Sequence, residues 1–377
     1  MASIQHADRH VLTARRIFDG RELLTGMTLI VENGRLAAIC PSSDAGPATA
    51  HLNGIIAPGF LDLQVNGGAG VMVGATIDDA GLAAICAAHR AQGVAGILPT
   101  LITDRPEVTR HVIRTVQRAA AAGLSGLLGL HLEGPHLDPR RHGAHDPALI
   151  RPMEEDDLAM LCAAARALPC LMVTLAPEAA RPDQITALRA AGVVVSLGHS
   201  GCTLSEARAA FDAGAGCVTH LFNAMSQMGH RQPGLVGATL TADVAAGLIA
   251  DGIHVDPAAL SVALRARPRG LFMVSDCMAF AGTDLTEMNL GGRRIMRRDG
   301  RLTLDDGTLA GADLTLARAV GMIAALPGGG LARALAMVTA EPADVIGRPD
   351  LGRLVPGMKA EFTVIDPETR QAQLLTP

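Results

Sequence analysis

From residue 55 onward the chain repeats one alternation eight times, a short apolar run bounded by glycine or proline followed by a helix-like or loop stretch. The runs are IIAPGFLDLQVNGG, VAGILPTLIT, LLGLHLEGPH, CLMVTLAPE, VVVSLGHSG, CVTHLFNAM, AGLIADGIHVD and LFMVSDCMA. Strands that read as continuous apolar runs are buried on both faces, as in a parallel sheet covered by helices. The stretches DDAGLAAICAAHRAQ, EEDDLAMLCAAARAL, DQITALRAAG and TLSEARAAFDAG supply such helices, and Thr203 with Glu206 forms a capping box for the last. Eight β–α units over about 250 residues predict an α/β fold, a (β/α)8 TIM-like barrel. A doubly wound sheet is the competing arrangement, but eight consecutive units favour closure.

The flanks have a different texture. HVLTARRIFDG and GMTLIVENGRLAAI alternate like half-buried strands, with turn signals at Asp19-Gly20 and Asn33-Gly34. GRLVPGMKAEFTVIDPETRQAQLL near the other end alternates likewise. The two ends therefore read as one small β-sandwich domain, residues 1–56 with 345–377, bracketing a barrel of residues 57–344. MNLGGRRIMRRDGRLTLDDGTLAG reads as a polar hairpin inserted after the eighth strand.

Composition narrows the function. Hydrophobic residues make up 49% of the 377 and charged residues 18%, which fits a compact enzyme and not a disordered chain. A net charge of −5 with no Trp and no Tyr removes both the electrostatic and the stacking case for nucleic acid. No apolar stretch approaches the roughly 20 residues of a membrane span, and the start MASIQHADRH is too polar for a signal peptide. Seven scattered cysteines without a C-x-x-C pair read as reduced thiols, which points to the cytoplasm.

Four of the apolar runs stop at a residue able to bind metal or carry a proton: Glu133, His199, His220 and Asp276. They fall at the third, fifth, sixth and eighth strand ends, and a barrel gathers its strand ends on one rim. One carboxylate and two imidazoles suit a divalent metal with a position left open for water. Such a metal lowers the pKa of water from about 15.7 towards 7, and Asp276 is placed to move the protons. Taken singly, each histidine reads as well as a buried, hydrogen-bonded side chain; the four in register do not.

These residues carry a resemblance. The blocks APGFLDLQVNGG, HLEGPH, HGAHDP, SLGHS, THLFNAM, GLVGA, IADGIHVD, VSDCMAFAG and GTLAGADLTL, in order from about residue 54 to 365, resemble the N-acetylglucosamine-6-phosphate deacetylases of the amidohydrolase superfamily. The resemblance implies hydrolysis of the acetamide of N-acetylglucosamine 6-phosphate, one divalent metal (Zn2+, with Fe2+, Mn2+ or Co2+ as alternatives) and a homodimer. It implies Glu133, His199 and His220 as metal ligands and Asp276 as general base and acid. It places His145 on the acetamide oxygen and Ala144, Asn223 and Ala224 around the sugar. His254 and Arg231 become substrate and phosphate contacts, the arginine from either subunit, and Leu309, Ala310 and Gly311 face the acetyl end. Without the resemblance, Arg231 reads as a solvated charge and His145 as a loop histidine.

Three features depart from related patterns. Gln64-Val65-Asn66 stands where many amidohydrolases carry His-x-His, and amides are weak ligands, so a single metal is expected. His136 follows the HLEGP run in place of an aromatic, and His230 precedes Arg231. With no Tyr or Trp, hydrogen bonds and Met225, Met228 and Phe280 are expected to shape specificity. The galactosamine epimer is an alternative substrate, and a non-catalytic sugar-phosphate binder is an alternative of another class.

Overall fold

The computed structural model describes residues 9–290, 292–366 and 368–377. Eight parallel strands lie in sequence order: β1 (Phe60–Val65), β2 (Val94–Ile102), β3 (Leu130–Glu133), β4 (Leu171–Leu175), β5 (Val194–Leu197), β6 (Cys217–Val218), β7 (Ala245–Leu248) and β8 (Leu271–Met273). Every residue of β1, β3 and β4 is buried, which is why their sequences carry no alternation. A helix follows each strand, from Asp79–Ala91 after β1 to Leu316–Ala325 after β8. In Pro106–Ala121, Val108, Val112, Ile113, Val116 and Ala119 recur at three- and four-residue spacing and are all buried against the barrel. The expected capping box forms, with Glu206 N donating to Thr203 Oγ1 and Thr203 N donating to Glu206 Oε2.

The barrel closes differently at its two ends. At the rim, Val65 bridges Cys277 directly, and Asp276 N donates to Gln64 O at 3.1 Å. At the bottom, Met337 and Val338 sit between the strands, accepting from Met273 N and Leu61 N, each at 2.8 Å. The interior carries a polar chain beneath the rim. His131 Nδ1 lies 3.1 Å from Leu63 O, its Nε2 2.7 Å from Thr174 Oγ1, and Thr219 Oγ1 lies 2.6 Å from both Thr174 and Ser196 hydroxyls. A carbonyl only accepts, so His131 Nδ1 carries the proton and Nε2 accepts from Thr174.

The two ends of the chain meet as expected. Arg9–Phe18, Leu23–Leu24, Met27–Glu32, Arg35–Pro41 and Ala50–Pro58 join Phe362–Asp366 and Gln371–Leu375 in one seven-stranded sheet. Asn33 (φ 52°) and Gly34 (φ 69°) turn the third of these strands into the fourth. One face of this sheet holds its own core, with Leu12, Leu29, Ile56 and Phe362. Phe18, Ile55, Ala57 and Ile365 belong instead to the core of the barrel, so this single sheet is welded to it.

The insertion after β8 is larger than a hairpin. Glu287–Leu290, Arg293–Arg298, Arg301–Leu304 and Leu309–Ala312 form a four-stranded antiparallel meander. Its inner side chains, Ile295, Leu302, Leu304 and Ala310, pack on Met278 and Phe280 beside the barrel mouth. Arg297 pairs bidentately with Asp313, and Arg293 donates to the carbonyl of Ala144 at 2.5 Å.

Candidate active site

His199 (φ 46°), His220 (φ 31°) and Asp276 (φ 48°) all adopt left-handed backbone just beyond β5, β6 and β8. Such conformations carry about 1–3 kcal/mol of strain each and persist only where surrounding bonds impose them. Those bonds are present: Asp138 N donates to His199 O, Asn223 N to His220 O and Ala312 N to Asp276 O, at 2.8–3.0 Å. The strain bends each chain away from its strand direction at the point where the side chain must enter the mouth.

There the side chains converge. Glu133 Oε1 lies 3.1 Å from His199 Nε2 and 3.0 Å from His220 Nε2, and the two nitrogens are 3.1 Å apart. All three residues are buried. His199 Nδ1 lies 2.8 Å from Arg141 O, which only accepts, so in the neutral ring Nε2 presents its lone pair to the cluster. His220 Nδ1 is buried with no partner among the described residues. Burial alone would raise Glu133, but the His199 and His220 rings packed against it hold its carboxyl well below the usual range. Burial opposes a charge on His220, but Glu133 pushes it up. Two imidazole nitrogens and an ionised oxygen facing one point fit a divalent cation.

His145 competes for that place, since Glu133, His145 and His199 offer ligand atoms within 4.8 Å of one another. Hydrogen bonding separates the two readings. Thr103 N donates to His145 Nδ1 at 3.2 Å, and Thr103 Oγ1 lies 2.8 Å from the same nitrogen. With Nδ1 accepting, the neutral ring carries its proton on Nε2 and is a donor there. Burial, then the His199 ring, pushes His145 down to about 3, so it is neutral near pH 7. His199 and His220 are therefore the better ligands and His145 the better donor.

Asp276 is half-buried at the same mouth, where desolvation and the Glu133 charge push its carboxyl up to about 6. Gln64 and Asn66 do not face the histidines as ligands would. Gln64 Nε2 donates to both Glu133 oxygens and to Asp276 Oδ1, each at 3.2 Å, and Asn66 Nδ2 donates to Asp276 Oδ1 at 2.8 Å.

One cavity of about 260 Å³ is lined by Glu133, Ala144, His145, His199, His220, Asn223, Ala224, His254, Asp276 and the Leu309–Gly311 run of the meander. Every expected site residue except Arg231 is thus gathered. Arg231 is exposed and lies outside that lining, as does His230. Met225 and Phe280 are fully buried and Met228 is 57% exposed, so none shapes the cavity. Met72 and Met278 take that place, Met72 from a short strand whose sequence carries no sign of the approach. His136 is buried away from the mouth, 3.2 Å from Arg151 O, which makes it structural. Two supporting residues escaped sequence reading. Thr103 sets the His145 tautomer, and Asp251 accepts from His254 Nδ1 at 2.7 Å while bonding the His254 and Ile253 amides. Asp251 sits within IADGIHVD, three residues before His254, where the spacing could have flagged it.

Comparison with known proteins agrees with this geometry. The model of the amidohydrolase family matches residues 55–376. The chain belongs to the amidohydrolase family. It is 37% identical over 320 residues to an N-acetylgalactosamine-6-phosphate deacetylase of Shewanella sp. (strain ANA-3), covering 84% of this chain and 81% of that one. It is 38% identical over 327 residues to the human N-acetylglucosamine-6-phosphate deacetylase, covering 83% and 80%. Among solved structures, it superimposes with a TM-score of 0.90 and 31% identity on the Mycobacterium smegmatis N-acetyl-D-glucosamine-6-phosphate deacetylase, over 97% of each chain. That structure is of an aspartate-to-alanine mutant in complex with N-acetyl-D-glucosamine-6-phosphate.

Proposed function

We propose that this amidohydrolase removes the acetyl group of N-acetylglucosamine 6-phosphate, giving glucosamine 6-phosphate and acetate. The observation that carries the reading is the convergence of Glu133, His199 and His220 at 3.0–3.1 Å beside the half-buried carboxyl of Asp276. Glu133, His199 and His220 would hold one divalent ion, Zn2+ by the nitrogen and oxygen donor set. When bound, such an ion supplies Lewis acidity that makes water a nucleophile near neutral pH.

An amide needs help at three points: the nucleophile, the oxyanion and the leaving nitrogen. Asp276 takes a proton from water as the water oxygen bonds to the acetyl carbon. His145, neutral with Nε2–H as a donor, hydrogen-bonds the developing oxyanion, a contact of a kind worth about 2.7–4 kcal/mol. Asp276 then gives the same proton to nitrogen as the C–N bond breaks, so the carboxylate is regenerated and acetic acid leaves. His254, steadied by Asp251, and the Asn223-Ala224 backbone hold the sugar, while Leu309, Ala310 and Gly311 border the acetyl end. Arg231, exposed and outside its own cavity, is assigned to the phosphate of a partner subunit in a homodimer. Seven free cysteines support a reducing, cytoplasmic setting. We assign residues 1–56 with 345–377 to the small β domain and 57–344 to the barrel, residues 1–8, 291 and 367 lying outside the described residues.

The galactosamine epimer is the second reading, favoured by the near-equal identity to relatives of both names. Acetate release from the two 6-phosphates by the purified protein separates them. A clear galacto preference reverses the assignment, and release from neither removes it.

A further inference from the structure

We infer that Asn66 and Gln64 are positioning residues that give the two oxygens of Asp276 different tasks: Oδ1 is held still and Oδ2 moves the proton. The inference rests on the deacetylase reading above.

Both amide groups end on one oxygen, Asn66 Nδ2 at 2.8 Å and Gln64 Nε2 at 3.2 Å from Oδ1. Among the described residues none donates to Oδ2. The amide orientations follow from chemistry, because a side-chain carbonyl turned toward a carboxylate would be repelled. Asn66 and Gln64 are 4% and 2% exposed, so the donor end of each bond is held away from solvent. The clamp and the clamped residue also share one ladder. Asp276 N donates to Gln64 O, and Asn66 N donates to Cys277 O at 3.0 Å. Residues two apart on a strand share a face, so Gln64 and Asn66 both turn inward while Val65 turns away.

A carboxylate that spins about its last bond exchanges its oxygens and offers each to the substrate for part of the time. Two N–H groups on Oδ1 stop that rotation and make Oδ1 the weaker base, which leaves Oδ2 as the oxygen aimed at the reacting atoms. Gln64 Nε2 also touches both Glu133 oxygens, so one amide sets the spacing between the two carboxylates. The Gln-x-Asn pair is thus read as a proton-transfer clamp and not only as a lost metal site.

Asn66→Leu, with Asn66→Ala as a second variant should the larger side chain disturb folding, tests this in the metal-loaded enzyme. On N-acetylglucosamine 6-phosphate, kcat should fall on the order of 10–100-fold with KM and bound metal unchanged. On the 2-O-acetyl ester analogue, whose alkoxide leaves with less need of a proton, the loss should be several-fold smaller. Equal losses on amide and ester, an unchanged kcat, or an effect confined to KM overturns the inference. If the wild type releases no acetate from the amide, it is the deacetylase reading that fails.

Discussion

Acid should destabilise this protein in part through a histidine buried in the barrel interior. His131 is buried in the barrel with Nδ1 donating to Leu63 O and Nε2 accepting from Thr174. Both ring positions are committed to the neutral form, and burial pushes the group from 6.5 down to about 4. In the window between those values the unfolded chain binds a proton that the folded one refuses. The associated stability is therefore complete above pH 6.5 and is lost as pH falls toward 4. At about 1.4 kcal/mol per pH unit, the loss amounts to roughly 3 kcal/mol, a large share of the 5–15 kcal/mol typical of a domain. His131→Gln supplies a reference that cannot titrate. Urea unfolding followed by far-UV circular dichroism, with excess chelator so that released metal does not contribute, should show the wild type losing about 3 kcal/mol more than the variant between pH 7 and pH 4. Parallel losses would mean that the ring accepts a proton in place, and the assignment of the interior hydrogen bonds would be wrong.

Other outcomes concern the mouth. Asp276→Asn should lower turnover by about 10²–10⁴-fold while ligand binding survives, read by kcat and by inhibitor titration; a small change in kcat would favour a binding protein instead. Chelation should abolish acetate release and a divalent metal should restore it, whereas full activity in metal-free protein would remove the proposed ion. Arg231→Ala should raise KM for the phosphorylated substrate far more than for an unphosphorylated analogue, and equal effects would take Arg231 out of the phosphate role. Thr103→Val keeps the backbone N–H on His145 but loses the hydroxyl, so kcat should fall by about 1 kcal/mol in barrier terms; a change in KM alone would argue against His145 acting on the oxyanion.

Much of this was legible in the chain before folding was considered. The eight runs without alternation could only be strands covered on both faces, and their polar ends, from Glu133 to Asp276, followed from the register of the barrel. Met72 and Met278 were not legible, because a meander inserted after β8 sets which side chains reach the mouth and no periodicity encodes that approach. Thr103 was hidden for a similar reason, since its partner His145 is 42 residues away.

Sequence order and residue type sufficed for what is local: strand, helix, cap, and the kinds of ligand present. Which atoms those ligands offer was settled only by long-range packing. His199 and His145 are the same residue type, yet a carbonyl at Nδ1 makes one a lone-pair donor at Nε2, and an amide N–H makes the other a proton donor there. The same holds at the end of β1, where Gln64 and Asn66 read as poor metal ligands in sequence and become the clamp on Asp276 once the barrel closes. A hydrogen bond depends on position to a few tenths of an ångström, and that precision exists only after distant strands have been brought into register.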